Sequence, residues 1–178
     1  MSYCDIAPGH PYHGPYHDNE YGFPVDDDNA LFERLVLEIN QAGLSWLTIL
    51  KKRDAFHEAF AGFDIERVAR FTEARKAKLM TNPGIIRNRL KIEAAVENAK
   101  RLRKMGSFAE WLSTQSTVHG AQRPEPWVKL FKKTFVFTGG EITTSFLLSI
   151  GYLPGAHDET CPVYARVLRA KPRFIISA

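Results

Sequence analysis

Cysteine is scarce in this chain: Cys4 and Cys161 are the only two in 178 residues. Two thiols cannot build a disulfide framework, so a reducing, cytoplasmic setting is expected. Long apolar runs are missing too. Nothing approaches the roughly 20 residues a membrane-spanning helix needs. The opening MSYCDIAPGH has neither the basic nor the apolar region of a secretory signal. No segment alternates apolar and polar residues long enough for a strand, and no internal repeat is visible, which points away from β folds and solenoids. The chain also lacks G-x-S-x-G, a P-loop, a dinucleotide glycine turn and H-E-x-x-H, which removes several common enzyme classes.

What is present is ordinary in amount and uneven in distribution. The chain is 44% hydrophobic and 25% charged, with a net charge of +4. That composition suits a soluble globular unit with a real core. Basic residues gather in three places: Lys51 to Arg53; Arg87, Arg89, Lys91 and Lys100 to Lys104; and Lys129, Lys132 and Lys133. Any one cluster reads as a solvated helix face. Three together read as a surface for a polyanion such as nucleic acid.

Each cysteine has a histidine nearby: Cys4 with His17, and Cys161 with His157. Two Cys and two His form a complete tetrahedral set for a structural zinc. If they meet, the ion closes a loop of about 140 residues, worth roughly 4 kcal/mol of chain entropy. The same residues also read as two buried thiols and two surface histidines. Spacing alone leaves both readings open.

Helical periodicity dominates the rest. Residues 1–25, rich in Pro, Gly, His and Tyr, read as an irregular arm. Asp28 is expected to cap a helix carrying Leu31, Phe32, Leu35, Val36 and Ile39, stopped by Gly43. Ser45 caps a second. Asp64 and Thr72 start short helices, the latter ending near Met80. A turn at Asn82-Pro83-Gly84 leads into a long helix over about 88–104, and Ser107 caps the next. Residues 113–124 read as a polar loop. Pro124 and Pro126 open a helix, Thr143 or Thr144 begins an apolar one ending at Gly151, and the last covers 162–169. The class is all-α without an up-down bundle signature. The expected unit is single, 1–178: a helical body over about 26–150 with termini 1–25 and 151–178 tied to it.

Three segments carry candidate chemistry. In the turn after Met80, backbone N–H groups around Gly84 and Ile86 can cradle a phosphate beside Arg87 and Arg89. The same turn also reads as a plain connection between helices. Glu38 sits at the end of an apolar helix, where a carboxylate opposes the dipole. Buried there it needs a donor such as a ligand N–H; exposed, it is unremarkable. Gln41, Gly43 and Leu44 form a break whose apolar tip suits wedging into a base stack, and Trp46 suits stacking or core packing. Tyr16 and Tyr21 flank His17 and read as an aromatic wall or as packing of the arm.

Together these residues resemble the 3-methyladenine DNA glycosylase I family. The resemblance rests on Tyr16-His17-Asp18-Asn19-Glu20, on Gln41-Ala42-Gly43-Leu44-Ser45-Trp46 through Leu50-Lys51-Lys52-Arg53, and on Gly84-Ile85-Ile86-Arg87-Asn88-Arg89. It implies a helix–hairpin–helix glycosylase fold with its hairpin over 83–88. It implies a structural Zn²⁺ on Cys4, His17, His157 and Cys161. The implied activity is monofunctional hydrolysis of the N-glycosidic bond of an alkylated purine, 3-methyladenine above all, after base flipping from double-stranded DNA. Glu38 would recognise the base, with Tyr16, Tyr21, Trp46, Ile6 and His13 around it. A monomer that does not engage membranes is expected. The chain departs from the family pattern at Ile6 and His13, where aromatics are usual, at Tyr21, in Glu38-Ile39-Asn40-Gln41-Ala42, and in Ser145-Phe146-Leu147-Leu148-Ser149. These departures bear on selectivity, and a lesion-binding protein without catalysis is the alternative they leave.

Overall fold

The computed structural model describes residues 2–176, and every regular element among them is helical. Two short helices, α1 (Tyr3–Ile6) and α2 (His13–Asn19), form the arm. The body follows as α3 (Asp28–Gln41), α4 (Trp46–Ala59), a 3-10 turn at Ala61–Phe63, α5 (Ile65–Val68), α6 (Glu73–Met80), α7 (Arg89–Met105), α8 (Phe108–His119), α9 (Glu125–Thr134) and α10 (Gly140–Ser149). Two more, α11 (Tyr164–Arg169) and α12 (Arg173–Ile176), complete the described chain. None is long and apolar enough to cross a membrane.

Helix α3 is the hub. Leu31, Phe32, Leu35, Val36, Leu37 and Ile39 are all buried, so apolar side chains leave it on nearly every face. A helix buried all round belongs in the core, and α3 touches α4, α5, α7, α8 and α10. Its partners supply Ile92, Ala95, Val96 and Ala99 from α7, Phe108 and Leu112 from α8, and Phe146 and Leu147 from α10. Phe108 and Phe146 stack with centroids 5.9 Å apart. A separate small cluster of Cys161, Val163 and Val167, with Cys4 and Phe23 against it, packs the ends of the chain.

Several boundaries follow cap chemistry. Ser45, Asp64, Thr72 and Ser107 each accept a backbone N–H from the third residue on. Gly43 adopts φ +79° just beyond α3, a left-handed conformation glycine takes without penalty. Other expectations need correction. Asp27, not Asp28, caps α3 by accepting from Ala30 N; Asp28 instead accepts from Ala109 N across to α8. The arm is not irregular. His10 Nδ1 accepts from the backbone N–H groups of Tyr12 and His13 and so starts α2, while Pro15 sits in its first turn, where proline is tolerated. The polar segment after 113 stays helical to His119, with Gly120 as its C-cap, and the Ser116 and Thr117 hydroxyls satisfy themselves by donating back to carbonyls three residues earlier. Helix α10 begins at Gly140 rather than Thr143.

Candidate active site and metal centre

Tyr3, Tyr16, Tyr21, Glu38, Gln41, Trp46 and Ser145 line a cavity of about 150 Å³. Three parts of the chain converge on it: the arm, the end of α3 with the start of α4, and the middle of α10. A space of this order matches the size of one small aromatic ring. Glu38 is 4% exposed, and no described group hydrogen-bonds its carboxylate. Burial pushes its carboxyl up to about 7, and the Arg34 guanidinium pulls weakly the other way. Trp46 Nε1 is likewise buried without an acceptor. A buried carboxylate with no described hydrogen-bond partner, in a cavity walled by aromatic rings, suits a flat ring that carries a donor.

The walls are held from behind. Tyr16 is buried; its ring centroid lies 5.1 Å from Trp46 and 5.8 Å from Tyr21. Arg34 donates to Tyr16 Oη at 3.1 Å and to Glu20 Oε2 at 3.2 Å. Glu20 in turn accepts from Arg53 at 2.7 Å, and Arg53 also donates to Glu33 at 2.7 Å. This relay locks the arm to α3 and α4. Burial pushes the Tyr21 hydroxyl up to about 12 and that of Tyr16 still higher, so both walls stay neutral and able to donate.

Two residues expected at the base do not reach the cavity. Ile6 is 48% exposed, turned to solvent on α1. His13 lies outside the lining and pairs with Tyr3, whose hydroxyl is 3.0 Å from His13 Nδ1. Tyr3 itself, unremarked in the sequence, lines the cavity. Its one legible signal is its place beside Cys4. Ser145 is the other lining residue that sequence reasoning did not single out.

Cys4, His17, His157 and Cys161 converge, with all four ligand atoms within 4.8 Å of one another. The four N···S separations are 3.5, 3.7, 3.7 and 3.8 Å. Metal–sulfur bonds of about 2.3 Å and metal–nitrogen bonds of about 2.0–2.1 Å in a tetrahedron give edges of roughly 3.6 Å. The donor set therefore fits one tetrahedral ion. The protonation pattern fits as well. His157 Nε2 lies 2.7 Å from the Tyr21 carbonyl, which only accepts, so Nε2 carries the proton and bare Nδ1 faces the sulfurs. His17 Nδ1 lies 2.7 Å from Asp18, leaving Nε2 for the cluster. Burial lowers His157, which keeps it neutral. Burial pushes the Cys4 thiol up to about 11, so a bound cation is what would favour its thiolate.

Around the turn joining α6 to α7, Arg87 is exposed with no partner among the described residues, whereas Arg89 donates to Glu93 at 2.8 Å. Ile86 is half-buried against the core. Gly84 has no left-handed φ. Glycine is needed there for space, because a Cβ would lie 2.9 Å from Ala55 Cβ. Lys52 Nζ donates to the Pro83 carbonyl at 2.8 Å and ties the turn to α4. Leu44, at the tip after α3, is 40% exposed, and Gln41 Nε2 reaches its carbonyl at 3.4 Å. Lys91, grouped with the surface basics from sequence, is 5% exposed and points inward.

The scaffold is an all-helical glycosylase fold. It superimposes with a TM-score of 0.80 on the Staphylococcus aureus 3-methyladenine DNA glycosylase I, whose structure describes 3-methyladenine recognition, at 36% identity over 92% of this chain and 96% of that one. Among curated proteins, it is 37% identical to the DNA-3-methyladenine glycosylase of Haemophilus influenzae over 83% of this chain and 89% of that protein. It is 43% identical to DNA-3-methyladenine glycosylase 1 of Escherichia coli K12 over 62% of this chain and 59% of that protein. A family model described as Methyladenine glycosylase matches residues 7–128. The chain belongs to the methyladenine glycosylase family.

Proposed function

We propose that this protein is a DNA repair enzyme, a 3-methyladenine DNA glycosylase that flips the damaged nucleotide out of the duplex and hydrolyses its N-glycosidic bond. The observation that carries the reading is Glu38: a carboxylate buried without a partner at the end of α3, inside a cavity walled by tyrosine and tryptophan. An adenine alkylated on a ring nitrogen is flat and cationic and carries an exocyclic amino donor. Such a base would sit between the aromatic walls, donate to Glu38 and place its charge against π faces. The N–C1′ bond breaks with its electron pair moving into the ring, whose positive charge is thereby neutralised. Water supplies hydroxide to C1′ and its proton goes to solvent. The base leaves without needing a strong acid, so recognition by Glu38, Tyr16, Tyr21 and Trp46 is the main task of the site.

The remaining assignments extend that reading. Leu44, on the Gln41–Gly43 turn, would fill the stack vacated by the flipped base. The segment over 83–88 would act as the hairpin of a helix–hairpin–helix motif, with N–H groups near Gly84 and Ile86 and the free Arg87 holding a DNA phosphate. Arg89, engaged by Glu93, would contribute mainly charge. Cys4, His17, His157 and Cys161 would hold a structural Zn²⁺. Its full set of protein ligands leaves no open position, and it would fasten residues 1–25 and 151–178 to the helical body as one unit. The protein would act as a cytoplasmic monomer.

The test is release of 3-methyladenine from methylated duplex DNA, comparing wild type with Glu38→Gln. Release by the wild type, reduced by the substitution, is the expected result. Salt-sensitive DNA binding with no release by the wild type, where a control enzyme works, would leave only a lesion-binding role.

A further inference from the structure

We infer that Tyr3 is a wall of the base pocket in this protein and that His13 holds it there. The inference rests on the proposed activity for its ligand and on the geometry for its residues. Tyr3 is half-buried and lines the cavity. Its ring centroid lies 5.3 Å from Tyr21 and 6.5 Å from Tyr16, in edge-to-face arrangements. Trp46 contacts Tyr16 as well, at 5.1 Å. Tyr3 thus extends an unbroken series of rings, from Trp46 through Tyr16 and Tyr21, out to the arm.

The hydroxyl of Tyr3 has one partner among the described groups, His13 Nδ1 at 3.0 Å, and the two rings also meet edge to face at 5.4 Å. His13 is fixed in turn, because its backbone N–H donates to His10 Nδ1 at 3.1 Å. The adjacent Cys4 belongs to the metal cluster, so both ends of the wall are anchored before a base arrives. Prior anchoring matters because a ring that need not be ordered on binding loses little affinity to entropy. His13 touches no part of the cavity and is a positioning residue; Tyr3 would touch the base.

The experiment measures binding of free 3-methyladenine to the zinc-loaded protein by calorimetry, for wild type, Tyr3→Leu, Tyr3→Phe and His13→Ala. Tyr3→Leu is expected to weaken binding by about 5- to 150-fold, the range one base–aromatic stack supplies. Tyr3→Phe and His13→Ala both break the Tyr3–His13 hydrogen bond while keeping the Tyr3 ring, so each should lose a few-fold, less than Tyr3→Leu; wild-type affinity in both would overturn the positioning role of His13. Zinc content and affinity for abasic duplex, which offers no base to the pocket, should be unchanged in all four. Equal affinity of Tyr3→Leu and wild type for the free base would overturn the inference. So would a parallel loss of abasic-DNA affinity in zinc-loaded Tyr3→Leu, which signals a general structural role. Base release by the wild type, run alongside, tests the activity separately: release with unchanged Tyr3→Leu affinity removes the wall, and affinity loss without wild-type release removes the activity.

Discussion

Lys91 Nζ donates to the carbonyl oxygen of Ala42 at 2.6 Å and to that of Asn40 at 2.9 Å. The lysine comes from the first turn of α7, just after the 83–88 turn, and the carbonyls belong to the last turn of α3 and its C-cap Ala42, just before Leu44. One buried ammonium therefore caps the C-terminus of α3, complements its dipole, and ties the start of α7 to the pocket-bearing helix. Lys91→Met should expose this dependence. Leaving both carbonyls without a donor is expected to cost about 2–3 kcal/mol in urea unfolding. Affinity for abasic duplex should fall more than affinity for the free base, since the Leu44 tip loosens before the pocket walls do.

Gly84 owes its identity to a neighbour rather than to its own dihedral angles. A Cβ would meet Ala55 Cβ at 2.9 Å and Asn82 Oδ1 at 3.0 Å, and Gly84 N donates to that same Asn82 oxygen at 2.8 Å. Gly84→Ala is expected to push the turn away from α4 and to destabilise by about 1–3 kcal/mol. The double variant with Ala55→Gly should recover most of that loss. Thermal melts of the two single variants and the double variant measure the coupling. Strict additivity would assign the cost elsewhere.

Removing the proposed zinc should separate the arm from the body. The cluster joins Cys4 and His17 to His157 and Cys161, and Tyr3 and Tyr16 ride on the same segment. Chelation is expected to lower stability by about 4 kcal/mol, a Tm drop on the order of 10 °C. Far-ultraviolet circular dichroism should change little, because α3 to α10 keep their core. Binding of free 3-methyladenine should be lost, and limited proteolysis should begin within 1–25. Thermal melts, circular dichroism, binding calorimetry and proteolysis, each run before and after zinc is restored, check these outcomes.

Legibility followed the range of the interactions. Caps at Ser45, Asp64, Thr72 and Ser107 could be read because a side chain and the N–H three residues on lie in one short window. The ligand set could be listed because Cys and His are rare, although spacing alone did not require them to meet. What escaped was set at a distance. Asp28 looks like a cap and instead bridges to α8. Lys91 looks like part of a basic surface and instead closes α3. Helices α1 and α2 are too short to announce themselves, and their order depends on His10 and on the cluster beyond residue 150. Tyr3 reaches the cavity through contacts with His13 and Tyr21 and beside a cluster that joins the start of the chain to His157 and Cys161, relations no single local pattern encodes.

Glu38 sets stability and function against each other through pH. Its carboxyl stands at about 7 in the folded protein against an ordinary 4.5, chiefly from burial. Between those values the native state keeps a proton that the unfolded chain has released. Stability from this group is therefore fully present below about 4.5 and lost as pH rises towards 7. The gap corresponds to at most about 3 kcal/mol. Glu38→Gln keeps the shape without the titration. Its stability relative to wild type should be near parity at the acid end and rise to about 2–3 kcal/mol above neutrality, measured by urea unfolding across that range. Activity should run the other way. A cationic base is complemented by the ionised form, so kcat/KM of the wild type should climb with an apparent pKa of about 7. A stability difference between wild type and Glu38→Gln that stays constant with pH would mean the carboxylate is solvated or paired in solution, and the rising limb of activity would then need another group.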